Sequence, residues 1–445
     1  RSNKTNLKRK NEMEQNNKLC YIAKGITVKI GFLNAALYDL KGKKVYLISI
    51  ENAQKLLQNR YTGTPVTYRK MMELGLITSD VSKSNPEPLT FDYSLFQDAY
   101  DYKHCRLIYF EVTNICNYYC VHCYAGMKSD SSIPFLTYSK ADVLLKKIAQ
   151  AGKCDIRITG GEPFLNPEID AIIELVSDIV TPMQKHSIAT NGSFSYEQAV
   201  RAICLDYELQ VSIYGMTENT FQMFTKRPAS VFEELMFKLV SIAKAGYSDN
   251  VVLSMSVTEQ NYCEIDQFIE FSKQYGFRYV LNRPASAGRA VDNWSLVQLS
   301  DEHQVQFAKR TNKKVPFFCY HLCQLFWTNI RVNGDVMPCP YFRKQDMCMG
   351  NLFQHDFEYI WNGSKYDKFR KLTAMDVEHC RNCEFSYVCT AGCCGETYSY
   401  KGDIKKSYPW CMLKPYLGAK YVDLKDDEIA IVRKYAAGIM DFEKL

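Results

Sequence analysis

Within nine residues, CNYYCVHCY at 116–124, three cysteines fall at Cys116, Cys120 and Cys123 in a C-x3-C-x2-C spacing. Thiolates this close together hold zinc or an iron–sulfur cluster, and a closed site of either kind takes four protein ligands. The next cysteine is Cys154, beyond a stretch of helical periodicity. The segment therefore belongs to a metal group with one position left open, or to a zinc loop completed by a distant histidine.

Eighteen cysteines are many for a chain with no secretory signal, and their placement matters more than their number. The first eighteen residues, RSNKTNLKRKNEMEQNNK, are polar and basic without an apolar stretch, and read as a disordered tail. Cys20, Cys105, Cys154, Cys204 and Cys263 stand alone and read as small buried hydrophobes. The other thirteen fall into two groups, at 116–123 and 319–411. Clustered C-x2-C spacings in such a chain favour metal binding over disulfides, and a cytoplasmic location is expected. The net charge of +6 comes without a long Lys/Arg run, so no nucleic-acid partner is expected. No apolar run is long enough to span a membrane, so none is expected there either.

Periodicity divides the chain. From about 19 to 95 it reads as a small α+β module. YIAKGITVKIG and KKVYLISI are strands joined by turn residues in NAALYDLKG, and two helices follow, the first capped by Ser49. SNPEP at 84–88 reads as a linker. From 101 to 290, six strand patterns alternate with helical ones: 107–113, 154–160, 185–191, 208–215, 250–258 and 277–284. That alternation predicts a parallel sheet, doubly wound or a barrel, with ligands at the carboxyl ends of its strands. The three-cysteine loop directly follows the first strand. A bridging region at 291–318 includes a helix over SDEHQVQFAKRTNKK, and the second cysteine group shows little regular periodicity. The stretch 424–440, LKDDEIAIVRKYAAGIM, reads as a closing helix within 416–445.

The cysteine loop, together with TGGEP at 159–163 ending the second strand, resembles the radical S-adenosylmethionine (SAM) enzymes. The resemblance implies an α/β partial (β/α)6 TIM-type barrel. It also implies a 4Fe–4S cluster on Cys116, Cys120 and Cys123 whose fourth iron takes the amino and carboxylate groups of SAM. Reductive cleavage of SAM then yields a 5′-deoxyadenosyl radical that abstracts a substrate hydrogen. Gly160, Gly161, Glu162 and Pro163 match the motif that contacts the methionine ammonium. Two glycines allow close backbone approach, and a carboxylate accepts from an ammonium. Thr190, Asn191 and Ser212 lie at strand ends where the family touches ribose and carboxylate. His122 corresponds to a residue packed near the adenine.

The second group runs Cys323-x10-Gly334-x4-Cys339, then Cys380-x2-Cys383-x5-Cys389-x3-Cys393, then Cys411. This register resembles the SPASM domain, expected over 319–415, and implies two auxiliary 4Fe–4S clusters. Cys380, Cys383, Cys389 and Cys411 would hold the outer one. Cys323, Cys339 and Cys393 would hold the inner one, with Cys319 as its fourth ligand; Cys348 and Cys394 have no assigned role. On spacing alone two zinc sites would also fit.

SPASM enzymes divide mainly between maturases of ribosomally made peptides and of sulfatases. The sulfatase maturases place their proposed base, an Asp, directly after the inner cysteine, where this chain has Pro340. Residues 19–95 resemble in layout the winged-helix leader-recognition domain of peptide maturases. The expectation is a maturase of a leader-bearing precursor peptide, reduced by a flavodoxin or ferredoxin. It would form a cross-link, with a thioether first and a C–C or C–O link next. The rivals are formylglycine formation and a non-enzymatic iron–sulfur carrier or zinc-stapled binding protein. No catalytic acid or base is assigned.

Overall fold

The computed structural model describes residues 18–91 apart from 33, 40, 43 and 62–64. It also describes 104–311 apart from 128–131 and 133, residues 322, 323 and 326–409 apart from 388, and 439–441. Residues 1–17, Cys319, Cys411 and most of the expected closing helix lie outside the described residues.

The N-terminal module begins with β1 (Lys18–Leu19) and β2 (Tyr21–Ile22), so Lys18 belongs to a strand rather than to a tail. Its central sheet is β3 (Ile26–Ile30), β4 (Ala35–Asp39) and β5 (Lys44–Ile48), all antiparallel. Two helices follow, Ile50–Leu57 and Pro65–Glu73; the first is capped by the Ser49 hydroxyl, which accepts from the Asn52 N–H at 3.2 Å. β6 (Arg60–Tyr61) pairs with β1, and β7 (Ile77–Thr78) pairs with β2. The segment at 84–88 packs back on this module: the Pro88 carbonyl accepts from the Val28 N–H, and Asn85 Nδ2 donates to the Ile26 carbonyl.

β4 corrects the sequence reading, which made Ala35–Asp39 a turn. The strand does not alternate because both of its faces are buried. Ala35 and Leu37 point into the module's own core, while Ala36 and Tyr38 pack against Phe385 and Tyr387 far along the chain. A strand buried on both sides carries no period-two signal.

The barrel strands are β8 (Leu107–Thr113), β9 (Asp155–Gly160), β10 (Ser187–Thr190), β11 (Glu208–Ile213), β12 (Val251–Ser256) and β13 (Arg278–Asn282). All are parallel, in that order across the sheet. Along β8, Ile108, Phe110 and Val112 face the helices, so Tyr109, Glu111 and Thr113 face inward. The covering helix Tyr138–Gln150 buries Ala141, Leu144, Leu145 and Ile148, one face at helical spacing.

The sheet continues past the barrel. β14 (Trp327–Ile330) pairs parallel with β8, and β15 (Asp335–Met337) and β16 (Gly350–Asn351) extend it antiparallel. Gly334 makes the β14–β15 turn at φ +81°. One continuous apolar core runs from the barrel into this region. β17 (Ile439–Asp441) pairs parallel with β5, so the end of the expected closing helix is instead a strand on the edge of the N-terminal sheet.

Candidate active site

The cysteine loop leaves β8 at Thr113 and meets the end of β9 almost backbone to backbone. The Gly161 N–H donates to the Thr113 carbonyl and the Glu162 N–H to the Ile115 carbonyl, both at 2.9 Å. Gly160 sits at φ +132°, and a Cβ on Gly161 would lie 1.9 Å from the Ile115 oxygen. The two glycines thus close the gap between the cysteine loop and the Glu162 strand end.

Glu162 is fully buried. Its carboxylate accepts from the Thr190 hydroxyl (2.8 Å), the Asn191 N–H (2.7 Å) and the Phe164 N–H (3.2 Å). Thr190 and Asn191, expected as cofactor contacts, orient this carboxylate. Burial nevertheless pushes the Glu162 carboxyl up to about 7, because those three donors are neutral. The Lys238 charge favours the carboxylate form in turn, and the ammonium of a bound amino acid moiety would add a second cation. Pro163 opens the turn after Glu162, Ser212 lies on β11 in register with Ser254, and Asn191 Nδ2 donates to Asn117 at 3.0 Å.

His122 is packed between Tyr214 and Phe224, and burial pushes its imidazole down to about 4. It is a neutral packing ring beneath the loop. The group the sequence did not reveal is Arg289, just past β13. Its N–H donates to the Cys123 carbonyl (2.9 Å), its Nε to Cys120 (3.0 Å) and its guanidinium to Met127 (2.6 Å). Its charge also favours the thiolate forms of Cys116 and Cys120 against the burial that raises both thiols. No spacing rule connects Arg289 to Cys120, 169 positions away; only barrel closure does.

The thiols are prepared for thiolate charge in the same way in both groups. Backbone N–H groups reach sulfur at Cys116 from Tyr118 (3.4 Å), at Cys383 from Phe385 (3.5 Å) and at Cys389 from Ala391 (3.4 Å). Cys339 and Cys393 receive the same contact from residues just after them. Such N–H bonds are what iron–sulfur thiolates use. Among the described residues, no three Cys, His, Asp or Glu side chains gather about a single ion. Thiols with backbone N–H partners suit an iron–sulfur cluster, in which each thiolate has its own iron. Cys323, Cys339, Cys393 and Cys394 lie near one another, Cys394 hydrogen-bonded to Cys323, whereas Cys348 donates to the Gly350 carbonyl at 3.2 Å. No disulfide joins the cysteines among the described residues.

The two halves meet at the barrel mouth. The Tyr124 ring, next to Cys123, stands edge-on to Tyr341, two residues past Cys339, with centroids 5.4 Å apart. Buried Glu396 accepts from Arg283 (2.9 Å), the Ser286 N–H (3.0 Å) and the Tyr408 hydroxyl (3.2 Å), tying the barrel's last strand to the helix Cys394–Lys401.

Comparison with known proteins agrees with this geometry. Residues 110–272 match the radical SAM superfamily, and residues 319–384 match the SPASM iron–sulfur cluster-binding domain. The chain is a radical SAM enzyme. It carries a SPASM domain, binds SAM and a 4Fe–4S cluster, and has auxiliary iron–sulfur binding in that domain. Curated relatives include the AdoMet-dependent heme synthase of Methanosarcina barkeri, 25% identical over 70% of this chain and 97% of its own length. Mycofactocin maturase MftC of Mycobacterium tuberculosis is 25% identical over 64% of this chain and 76% of its own. The antilisterial bacteriocin subtilosin biosynthesis protein AlbA of Bacillus subtilis is 25% identical over 64% of this chain and 66% of its own. Among solved structures, Streptococcus suis SuiB bound to its precursor peptide SuiA shares the fold at TM-score 0.51 and 15% identity, covering 87% of this chain and 98% of that one. No helix among the described residues is long and apolar enough to cross a membrane.

SAM affinity is expected to fall with pH. Below about 7 the Glu162 carboxyl takes a proton and loses its attraction for the ammonium. Binding should weaken by up to about tenfold per pH unit there and level off above about 8. Because the folded value lies above the unfolded one, the SAM-free chain holds the extra proton between about 4.3 and 7, and its stability should decrease as pH rises through that window. Equilibrium dialysis with SAM and thermal melts across the range check both directions.

Proposed function

We propose that this chain is a maturase that cross-links a ribosomally made precursor peptide, captured as a strand by the N-terminal module. The observation carrying this reading is the β5 edge: it pairs with a parallel strand, Ile439–Asp441, so its backbone takes an extended segment from elsewhere in the chain. An extended leader pairs with such an edge through its backbone. A heme synthase stands among the relatives beside two proteins of peptide pathways, so the barrel and SPASM domain alone do not select the substrate, and the N-terminal sheet is the feature that supports the peptide reading.

Bound SAM and its cluster supply a hydrogen-abstracting radical. Glu162 orients the ammonium, Gly160 and Gly161 hold the cysteine loop against that carboxylate, and Arg289 fixes the loop carbonyls from below. Cys116, Cys120 and Cys123 are the ligands of the radical cluster. Cys323, Cys339 and Cys393 serve an inner auxiliary cluster, and Cys380, Cys383 and Cys389 an outer one; Cys319 and Cys411 complete the two sets. Removal of one hydrogen atom by that radical, bond closure, and loss of one further proton and one electron, which an auxiliary cluster held by the SPASM cysteines would accept, make a net two-electron oxidation. A thioether is favoured, with C–C and C–O links next; a flavodoxin or ferredoxin is the expected reductant. Pro340 stands where formylglycine formation would call for a carboxylate.

The test is anaerobic incubation of the reconstituted enzyme with SAM, reductant and a leader-bearing peptide. The expected product is two hydrogens lighter, with 5′-deoxyadenosine formed in step. An aldehyde product would turn the reading to formylglycine formation, and turnover indifferent to any peptide would end it. Deleting residues 439–445 should also tighten leader binding several-fold by vacating the β5 edge, as measured by fluorescence anisotropy of a labelled leader. Unchanged affinity would place the leader elsewhere.

A further inference from the structure

One face of the N-terminal sheet is buried against the Cys380–Cys389 loop. Ala36, Tyr38, Val45 and Leu47 share an apolar cluster with Cys383, Phe385 and Tyr387, and Cys389 packs against it. The Tyr38 hydroxyl donates to the Glu384 carbonyl, and the Phe32 N–H donates to the Glu384 carboxylate at 3.2 Å. Lys29, on the adjacent strand β3, reaches across the same junction. Its Nζ donates to the Arg381 carbonyl at 2.8 Å, lies 3.7 Å from the Met375 sulfur and sits 5.2 Å from the centre of the Tyr387 ring. Its ammonium feels the Cys383 sulfur electrostatically, while partial burial makes the charge costly to keep.

An ammonium placed in a loop that carries cysteines at 380, 383 and 389 gains little as a fold contact, because Lys is readily hydrated elsewhere. It gains much if the loop becomes more negative in one of its working states. One-electron reduction of a cysteine-bound cluster adds one negative charge and leaves every bond in place. A nearby cation stabilises that reduced form and raises the reduction potential, as net charge and hydrogen bonding do for such clusters generally.

We infer that the N-terminal module forms one wall of the outer auxiliary cluster site, and that Lys29 is the positioned charge that raises this cluster's reduction potential. The inference rests on Cys380, Cys383 and Cys389 being ligands. Glu384 and Arg381 also face the junction, but they belong to the SPASM side and stay constant when Lys29 is changed. The consequence deepens the peptide reading: the sheet whose edge would take a leader is also the sheet that covers the electron's way out. Docking at the edge and the potential at the face would therefore be linked through β3 to β5.

The experiment uses the full chain with Cys116, Cys120 and Cys123 changed to Ala, which leaves the two auxiliary clusters. Their signals are followed by EPR during a potentiometric titration, with iron counted in each sample. Lys29→Met and Lys29→Gln are expected to keep about eight irons. At a fixed potential they should lower the reduced-to-oxidised ratio of one cluster about tenfold, a midpoint about 59 mV lower, with the other cluster unmoved. Lys29→Arg should restore the original midpoint. Eight irons with no shift in either neutral variant would overturn the role of the charge. Loss of four irons in both neutral variants, but not in Lys29→Arg, would make Lys29 a strut and also overturn it. Fewer than eight irons in the parent would instead count against the cluster assignment itself.

Discussion

Gly161→Ala is expected to remove the radical cluster while leaving the rest of the protein folded. The added Cβ would lie 1.9 Å from the Ile115 oxygen, 2.3 Å from its carbon and 3.0 Å from the Cys116 nitrogen. Each of those atoms is backbone, so no side chain can swing aside. Two hydrogen bonds, Gly161 N–H to Thr113 and Glu162 N–H to Ile115, pin the strand end to the loop at that point. Either both break or the loop carrying Cys116 moves away from Cys120 and Cys123, whose carbonyls Arg289 holds in place. Reconstituted iron should fall by about four from about twelve, and SAM cleavage should vanish, while the auxiliary EPR signals remain. Gly152→Ala is the matched control. It sits at φ +104° with nothing within 4 Å, so it carries backbone strain alone, about 1–2 kcal/mol, and should keep all its iron. Full iron in Gly161→Ala would mean that the loop relaxes freely and that the glycine pair serves SAM access only.

This contrast shows what the sequence could and could not convey. The six barrel strands were legible because each is buried on its helix side and followed by a helix, so strand and helix periods alternate cleanly; observed bounds differ by a few residues at most. Glu162 was legible through its neighbours, two glycines and a proline, whose backbone demands are visible in their identities. β4 was not legible, because half of its burial comes from Phe385 and Tyr387, about 350 positions away, and nothing local records that contact. The same holds for Arg289 and Lys29, whose roles arise from carbonyls and sulfurs brought to them by closure of the chain. The expected helix over 424–440 failed at its end for a related reason: Ile439 and Met440 find backbone partners on β5 that local periodicity does not see.

The strut between the barrel floor and the SPASM loop gives the other large expected effect. Glu111, on the inward face of β8, is 2% exposed and accepts from the Arg343 guanidinium and from Asn329 Nδ2 at 3.0 Å. Arg343 lies four positions past Cys339, so the pair spans from the strand that launches the radical-site loop to the loop of the second cysteine group. Its other nitrogen contacts the Met127 sulfur at 3.4 Å, close to the end of the first loop. Glu111 Oε2 and Asn329 Oδ1 have no partner among the described residues, so the carboxylate has little to replace the guanidinium. Arg343→Met should therefore cost about 3–5 kcal/mol, the usual penalty for leaving one member of a buried pair uncompensated. Glu111→Leu alone should cost comparably, and the double variant clearly less than the sum, because the charges leave together. Denaturant melts of the four proteins measure that coupling; strict additivity would mean the pair is solvated and unimportant. Recovery of stability should not bring recovery of geometry, since the double variant lacks the link between the two loops. Under the peptide reading, it should form 5′-deoxyadenosine in excess of modified peptide, whereas the parent forms them in step. A double variant as tightly coupled as the parent would assign the spacing of the two loops to the Glu396–Arg283 contact instead.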